Sequence, residues 1–95
     1  MVYTLKYSPV ALETFDEISR QLADRWGDKY VADFKQRTVK LIETIKVSPF
    51  IYQAMESNLN MRKGFIHKNC SVFYEVGENT VEILFFWDNR QDPII

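Results

Sequence analysis

The residues best suited to chemistry are cationic, and they gather in the last third of the chain. Arg62, Lys63, His67 and Lys68 fall close together, and no acidic residue lies between Glu56 and Glu75. Further on, the apolar run Val81 to Trp87 ends abruptly in Asp88-Asn89-Arg90-Gln91-Asp92-Pro93. A basic strand beside a strand that delivers an arginine from its end would make a phosphate-handling surface. Arg90 leads the candidates, because the planar guanidinium fork holds an oxyanion in a fixed geometry that lysine does not match. The structural alternative is a salt bridge to Asp88 or Asp92, or simple solvent exposure.

The basic stretch is less unified than it looks. On strand alternation, Lys63 and His67 share a face with Met61 and Phe65, while Arg62 shares the opposite face with Ile66 and Lys68. One ligand meets all of them only if the strand twists or bulges. His67 is the sole histidine, so it is the one side chain that ordinarily titrates near neutral pH and the natural general base. Against that stands a surface or partner-contact role. Arg62, Lys63 and Lys68 are candidates for nucleic-acid or target contact, or else charges that keep an edge strand from pairing with another edge.

The rest of the composition narrows the chemistry. With one histidine and one cysteine there is no zinc-ligand spacing. The glycines at 27, 64 and 77 are isolated, so no glycine-rich phosphate loop exists. No metal, cofactor or small-molecule substrate is expected. Cys70 shares an apolar strand face with Val72 and reads as core rather than nucleophile. Trp26 and Trp87 read as core too.

Ninety-five residues, 46% hydrophobic and 26% charged, describe one globular domain over 1–95. The net charge of −1 carries no global basic signal, so any attraction to nucleic acid must be local. A lone cysteine fits a reducing cytoplasm. The first residues show no signal peptide, and no apolar run nears the ~20 residues a membrane span needs. A cytoplasmic protein without membrane contact is expected.

These side chains must be positioned by regular elements. Val2 to Tyr7 alternates as a half-buried strand. Ser8-Pro9 starts a helix, serine as cap and proline at the first position. Ala11, Phe15, Ile18, Leu22 and Trp26 form its apolar stripe. Gly27 stops it and Asp28 is the expected cap of the next. The second helix runs from about Lys29 to Val47, with Tyr30, Phe34, Thr38, Leu41 and Ile45 inward, and ends before Ser48-Pro49. So short a connection makes an antiparallel hairpin. Its basic residues Lys29, Lys35, Arg37, Lys40 and Lys46 read as a solvated face, or as a footprint for RNA or DNA. Pro49 to Asn60 reads as a packed loop with one helical turn.

Met61 to Lys68, Cys70 to Val76 and Val81 to Asp88 then read as strands in an antiparallel meander. Leu84 and Phe86 make both faces of the last strand apolar, which places it centrally. A strand, a helical hairpin and a three-stranded meander give an α+β fold.

The whole chain resembles the RelE/ParE superfamily of bacterial type II toxin–antitoxin toxins, the plasmid stabilisation type. The resemblance runs through Ser8-Pro9-Val10-Ala11, the hairpin ending Leu41-Ile42-Glu43-Thr44-Ile45, and the Ser48-Pro49 stop. It is more specific at Arg62, at Val72-Phe73-Tyr74-Glu75-Val76, and at Val81 to Trp87. The closing Asp88-Asn89-Arg90-Gln91-Asp92-Pro93 looks like the Trp-His-Gly-Arg-Arg-Asp-Pro ending common in ParE-type members.

The resemblance implies a small twisted sheet carrying a helical hairpin, and an antitoxin that wraps it. RelE-type members cut messenger RNA in the ribosomal A site without a metal; ParE-type members poison DNA gyrase. In a RelE-like enzyme Arg90 would stabilise the phosphate, with His67 or Lys63 handling the proton of the attacking 2′-OH. The chain departs from the nuclease pattern. The expected second-strand arginine falls near Ile66, no tyrosine follows Arg90, and Asp88 stands where some members place a histidine. Tyr74 occupies the family's strand tyrosine, where it reads as packing. A ParE-like gyrase inhibitor is therefore slightly favoured, with the endonuclease and an inactive antitoxin-binding relative as alternatives. Apolar residues Phe50, Ile51 and Tyr52 are the expected antitoxin contact.

Overall fold

The computed structural model describes residues 2–90. Its elements run β1 (Thr4–Tyr7), α1 (Pro9–Trp26), α2 (Asp28–Val47), β2 (Ala54–Met55), β3 (Asn58–His67), β4 (Cys70–Val76) and β5 (Thr80–Asp88). The strands form one sheet in the order β1-β5-β4-β3-β2. β3, β4 and β5 make the expected antiparallel meander, and β1 joins parallel to β5. β5 is thus an interior strand, but the centre of the sheet is β4. No helix among the described residues is long and apolar enough to cross a membrane.

Both helices cover the same face of the sheet. Ala11, Ile18, Phe34, Leu41 and Ile45 meet Val72, Tyr74, Val81, Ile83 and Phe86 in one core cluster. Cys70 belongs to that core at 6% exposure. Burial pushes its thiol up to about 12, the nearby Asp88 charge adds to the rise, and Arg90 pulls the other way. The opposite face carries a smaller aromatic layer in which Phe73 and Phe85 stack at 4.6 Å.

The start of α1 shows why the chain folds as it does. β1 pairs with β5 only as far as Tyr7 opposite Ile83. Beyond that point β5 would leave backbone groups without partners, which is costly wherever water is excluded. α1 supplies them. The Ser8 hydroxyl caps the helix by accepting from the Ala11 N–H, and it donates to the Leu84 carbonyl at 2.5 Å. The Thr14 hydroxyl accepts from the Phe86 N–H at 2.9 Å while donating to the Val10 carbonyl.

Several expectations are corrected. Gly27, not Asp28, caps α2, with no side-chain hydrogen bond. Its φ of +91° and ψ of 178° lie in a region that is essentially glycine's alone, which lets a single residue reverse the chain between two helices. Trp26 and Tyr30 are not core: they are 53% and 54% exposed, because the hairpin extends past the end of the sheet that Ala11, Ile18, Phe34, Leu41 and Ile45 cover. Trp87 is only half-buried, on a strand that alternates faces. The segment after α2 makes one hydrogen-bonded turn, the Ile51 N–H donating to the Ser48 carbonyl at 3.1 Å, and then bends into the two-residue β2, which the sequence pattern does not show. Gln91, Asp92 and Pro93, and with them the salt bridge to Asp92, lie outside the described residues.

Two measurements test this packing. Thr14→Val keeps the shape but strands the Phe86 N–H, and should cost about 1–3 kcal/mol in urea unfolding, with Thr14→Ser much milder. The Cys70 thiol should resist alkylation at pH 8 in the native chain and react promptly in denaturant.

Candidate functional site

A register change decides where His67 points. β3 pairs Phe65 with Ser71 and then His67 with Cys70, so Ile66 is an extra residue in a bulge. Residues that pair across a ladder share a face. His67 therefore joins Cys70 on the helix-covered face and leaves Lys63, contrary to simple alternation.

That face opens into a cleft of about 230 Å³ at the end of the helical hairpin. Ile18, Leu22 and Phe34 form its apolar wall, Trp26 and Tyr30 its mouth, and His67, Cys70, Asp88 and Arg90 its sheet side. Trp26 and Tyr30 lie with ring centroids 5.7 Å apart, tilted by 43°. The structure thus brings together His67 and Arg90, two of the three residues proposed for chemistry.

The third is elsewhere. The Lys63 ammonium lies over the Phe65 and Phe73 rings, 5.4 and 5.7 Å from their centroids, on the face without helices. Arg62 donates to the Tyr52 carbonyl and sets its guanidinium 4.8 Å above the Phe50 ring. Lys68 sits exposed in the β3–β4 turn. The basic stretch is therefore dispersed over three surroundings and makes no single phosphate surface.

Arg90 itself is engaged. Its Nη2 donates to Asp88 Oδ2 at 2.6 Å and its Nε to Oδ1 at 2.9 Å, while its backbone N–H donates to Oδ1 at 2.9 Å. The side chains retain 31% exposure for Arg90 and 9% for Asp88. Hydrogen bonds from Arg90 hold the Asp88 carboxyl below its usual range despite burial, and the Arg25 charge assists. The same contact raises Arg90. A carboxylate thus fills the two-pronged geometry in which arginine binds a phosphate.

Tyr74 has no proton-transfer geometry. It is fully buried, its hydroxyl donates to the Pro49 carbonyl at 2.8 Å, and burial pushes it up to about 12. It holds the segment after α2 against the sheet. Phe50 and Ile51, next to that anchor, are 60% and 58% exposed, with Tyr52 half-buried. Among the described residues, no three His, Cys, Asp or Glu side chains gather as a metal site. The residues that sequence reasoning missed are Trp26 and Tyr30 as cleft mouth. Their helical spacing was visible, but it fits a core stripe equally well.

Comparison with known proteins matches residues 5–93 to the model for the ParE toxin of the type II toxin–antitoxin system parDE. No curated protein sequence matches the chain significantly. Solved structures share its fold at low identity. The chromosomal ParDE toxin–antitoxin system from P. aeruginosa is 16% identical with a TM-score of 0.76, covering 92% of this chain and 96% of that one. The YoeB dimer from Staphylococcus aureus is 14% identical with a TM-score of 0.65, covering 92% and 97%. The E. coli DinJ–YafQ toxin–antitoxin complex gives 9% identity and a TM-score of 0.66, covering 95% and 96%. With a family match over nearly its whole length and this fold, the chain belongs to the ParE toxin family of type II toxin–antitoxin systems.

Proposed function

We propose that this toxin arrests growth as a ParE-like inhibitor, by binding DNA gyrase in the cytoplasm, without bond chemistry of its own. The observation that carries the reading is the Asp88 carboxylate in the fork of Arg90. Cleavage by a 2′-OH needs a free cation where negative charge develops on the phosphate. A carboxylate already in that fork neutralises the resting cation, so a phosphate has to displace it before the guanidinium can act. Lys63, on the other face, offers no replacement.

A second reading is a RelE-like, ribosome-dependent messenger RNA endonuclease with His67 as base and Arg90 on the phosphate. The one observation in its favour is that both residues line the same cleft. Two assays separate the readings. The purified chain should inhibit gyrase supercoiling and leave translated messages intact in primer extension. A-site cuts that vanish in Arg90→Ala would establish the endonuclease instead, and expression without growth arrest would point to an inactive relative.

The antitoxin is proposed to cover Phe50, Ile51 and Tyr52, an apolar group exposed at Phe50 and Ile51 and capped at Phe50 by Arg62. Exposed aromatic and aliphatic side chains around an arginine have the composition of an interface centre. The double variant Phe50→Ala/Ile51→Ala should weaken antitoxin binding by about 30-fold in titration calorimetry, the size of a ~2 kcal/mol hot spot, while circular dichroism stays unchanged.

A further inference from the structure

The proposed function makes no use of the aromatic cleft at the open end of the hairpin. Its mouth leaves more than half of Trp26 and of Tyr30 in water, a large apolar area for a small protein to expose at one place. Behind it the wall is apolar, and the cleft has room for one large side chain. Its rim is the Asp88–Arg90 pair, and a polar groove on the other side of that pair reaches Arg25.

Charge decides what class of partner fits. Around the cleft and groove, Asp33 pairs with Arg37 and Asp88 with Arg90, Asp24 and Arg25 both line the groove, and His67 lines the cleft. No cationic excess is left for a polyphosphate chain, whose binding rests on neutralising many phosphates. Arg90 is instead matched to one carboxylate, since one already sits in its fork. Trading one carboxylate for another keeps the charge-assisted hydrogen bonds. The released Asp88 has a second cation in Arg25, whose charge already acts on it. The gain from the exchange is then the burial of an apolar side chain against Trp26 and Tyr30.

We propose that this cleft docks a protein segment bearing a large apolar side chain next to a carboxylate, and that Asp88 holds Arg90 as a stand-in until that carboxylate arrives. The proposal is independent of whether gyrase or the ribosome is the toxin's target. Asp88 acts here as a positioning residue, and the contact surface is Trp26, Tyr30 and Arg90.

Indole-3-propionate and its uncharged amide are suitable probes, followed by NMR at the Trp26 indole N–H and the Arg90 Nε–H of the purified chain. The acid should bind the wild type more tightly than the amide does. Asp88→Asn should strengthen acid binding about tenfold or more by removing the internal competitor, with the amide unaffected. Arg90→Gln should erase the preference for the acid, and Trp26→Ala should weaken both probes. Equal binding of acid and amide overturns the proposal, as does an Asp88→Asn chain that binds the acid no better. Displacement of the acid by a single-stranded RNA oligonucleotide overturns it in favour of a nucleic-acid site. If Asp88→Asn does not fold, the wild-type contrast between acid and amide decides.

Discussion

The structure depends on how β5 passes its backbone hydrogen bonds from a strand to a helix. β1 is only four residues long and stops opposite Ile83, yet β5 continues to Asp88. Where β1 stops, the chain turns into α1, whose Ser8 and Thr14 hydroxyls take over Leu84 and Phe86. These side chains satisfy the strand and their own helix together. The arrangement fixes α1 along β5 and, through the one-residue Gly27 connection, the direction of α2. An apolar contact alone would let the hairpin slide; two directed hydrogen bonds do not.

From this anchoring the cleft follows. α1 starts beside the middle of β5 and runs 18 residues, farther than the sheet extends beneath it. Its last turn, and the first turn of α2, therefore have no strand under them. Trp26 and Tyr30 overhang, while Ile18 and Phe34 one or two turns back are buried. The end of β5 delivers Asp88 and Arg90 to the space under the overhang, and the β3 bulge turns His67 into it. Opposed ends of the helical and sheet layers make the site.

Much of this fold was legible in the sequence because its signals are local. Ser8-Pro9, Gly27 and Ser48-Pro49 mark helix ends by backbone chemistry, and alternation marks β4 and β5. The meander followed from short turns. What escaped notice depends on contacts far apart in sequence. The bulges at Ile66 and between Phe73 and Tyr74 change which residues share a face, and alternation read without them misplaced His67. Trp26 and Tyr30 carry the periodicity of buried residues, and only the relative lengths of helix and sheet show that nothing covers them. The two-residue β2 is too short for any pattern. Arg90 was recognisable as the chemically capable cation, and its salt bridge to Asp88 was among the alternatives. The choice between them turns on geometry that residue types do not carry.

The same pair limits what can act on the site. Asp88 has a depressed folded pKa, so its contribution to stability is present above its unfolded pKa and fades only as pH falls through the lower folded value. Proton uptake near neutrality therefore does not open the Arg90 clasp. Salt screens it only weakly, because the carboxylate is largely buried at 9% exposure. What remains is direct competition by another carboxylate, which must offer the guanidinium as good a fork and recover something more to displace a ligand tethered two residues away. Apolar burial beside the clasp is the nearest source of that surplus, and Trp26 and Tyr30 are where it is available.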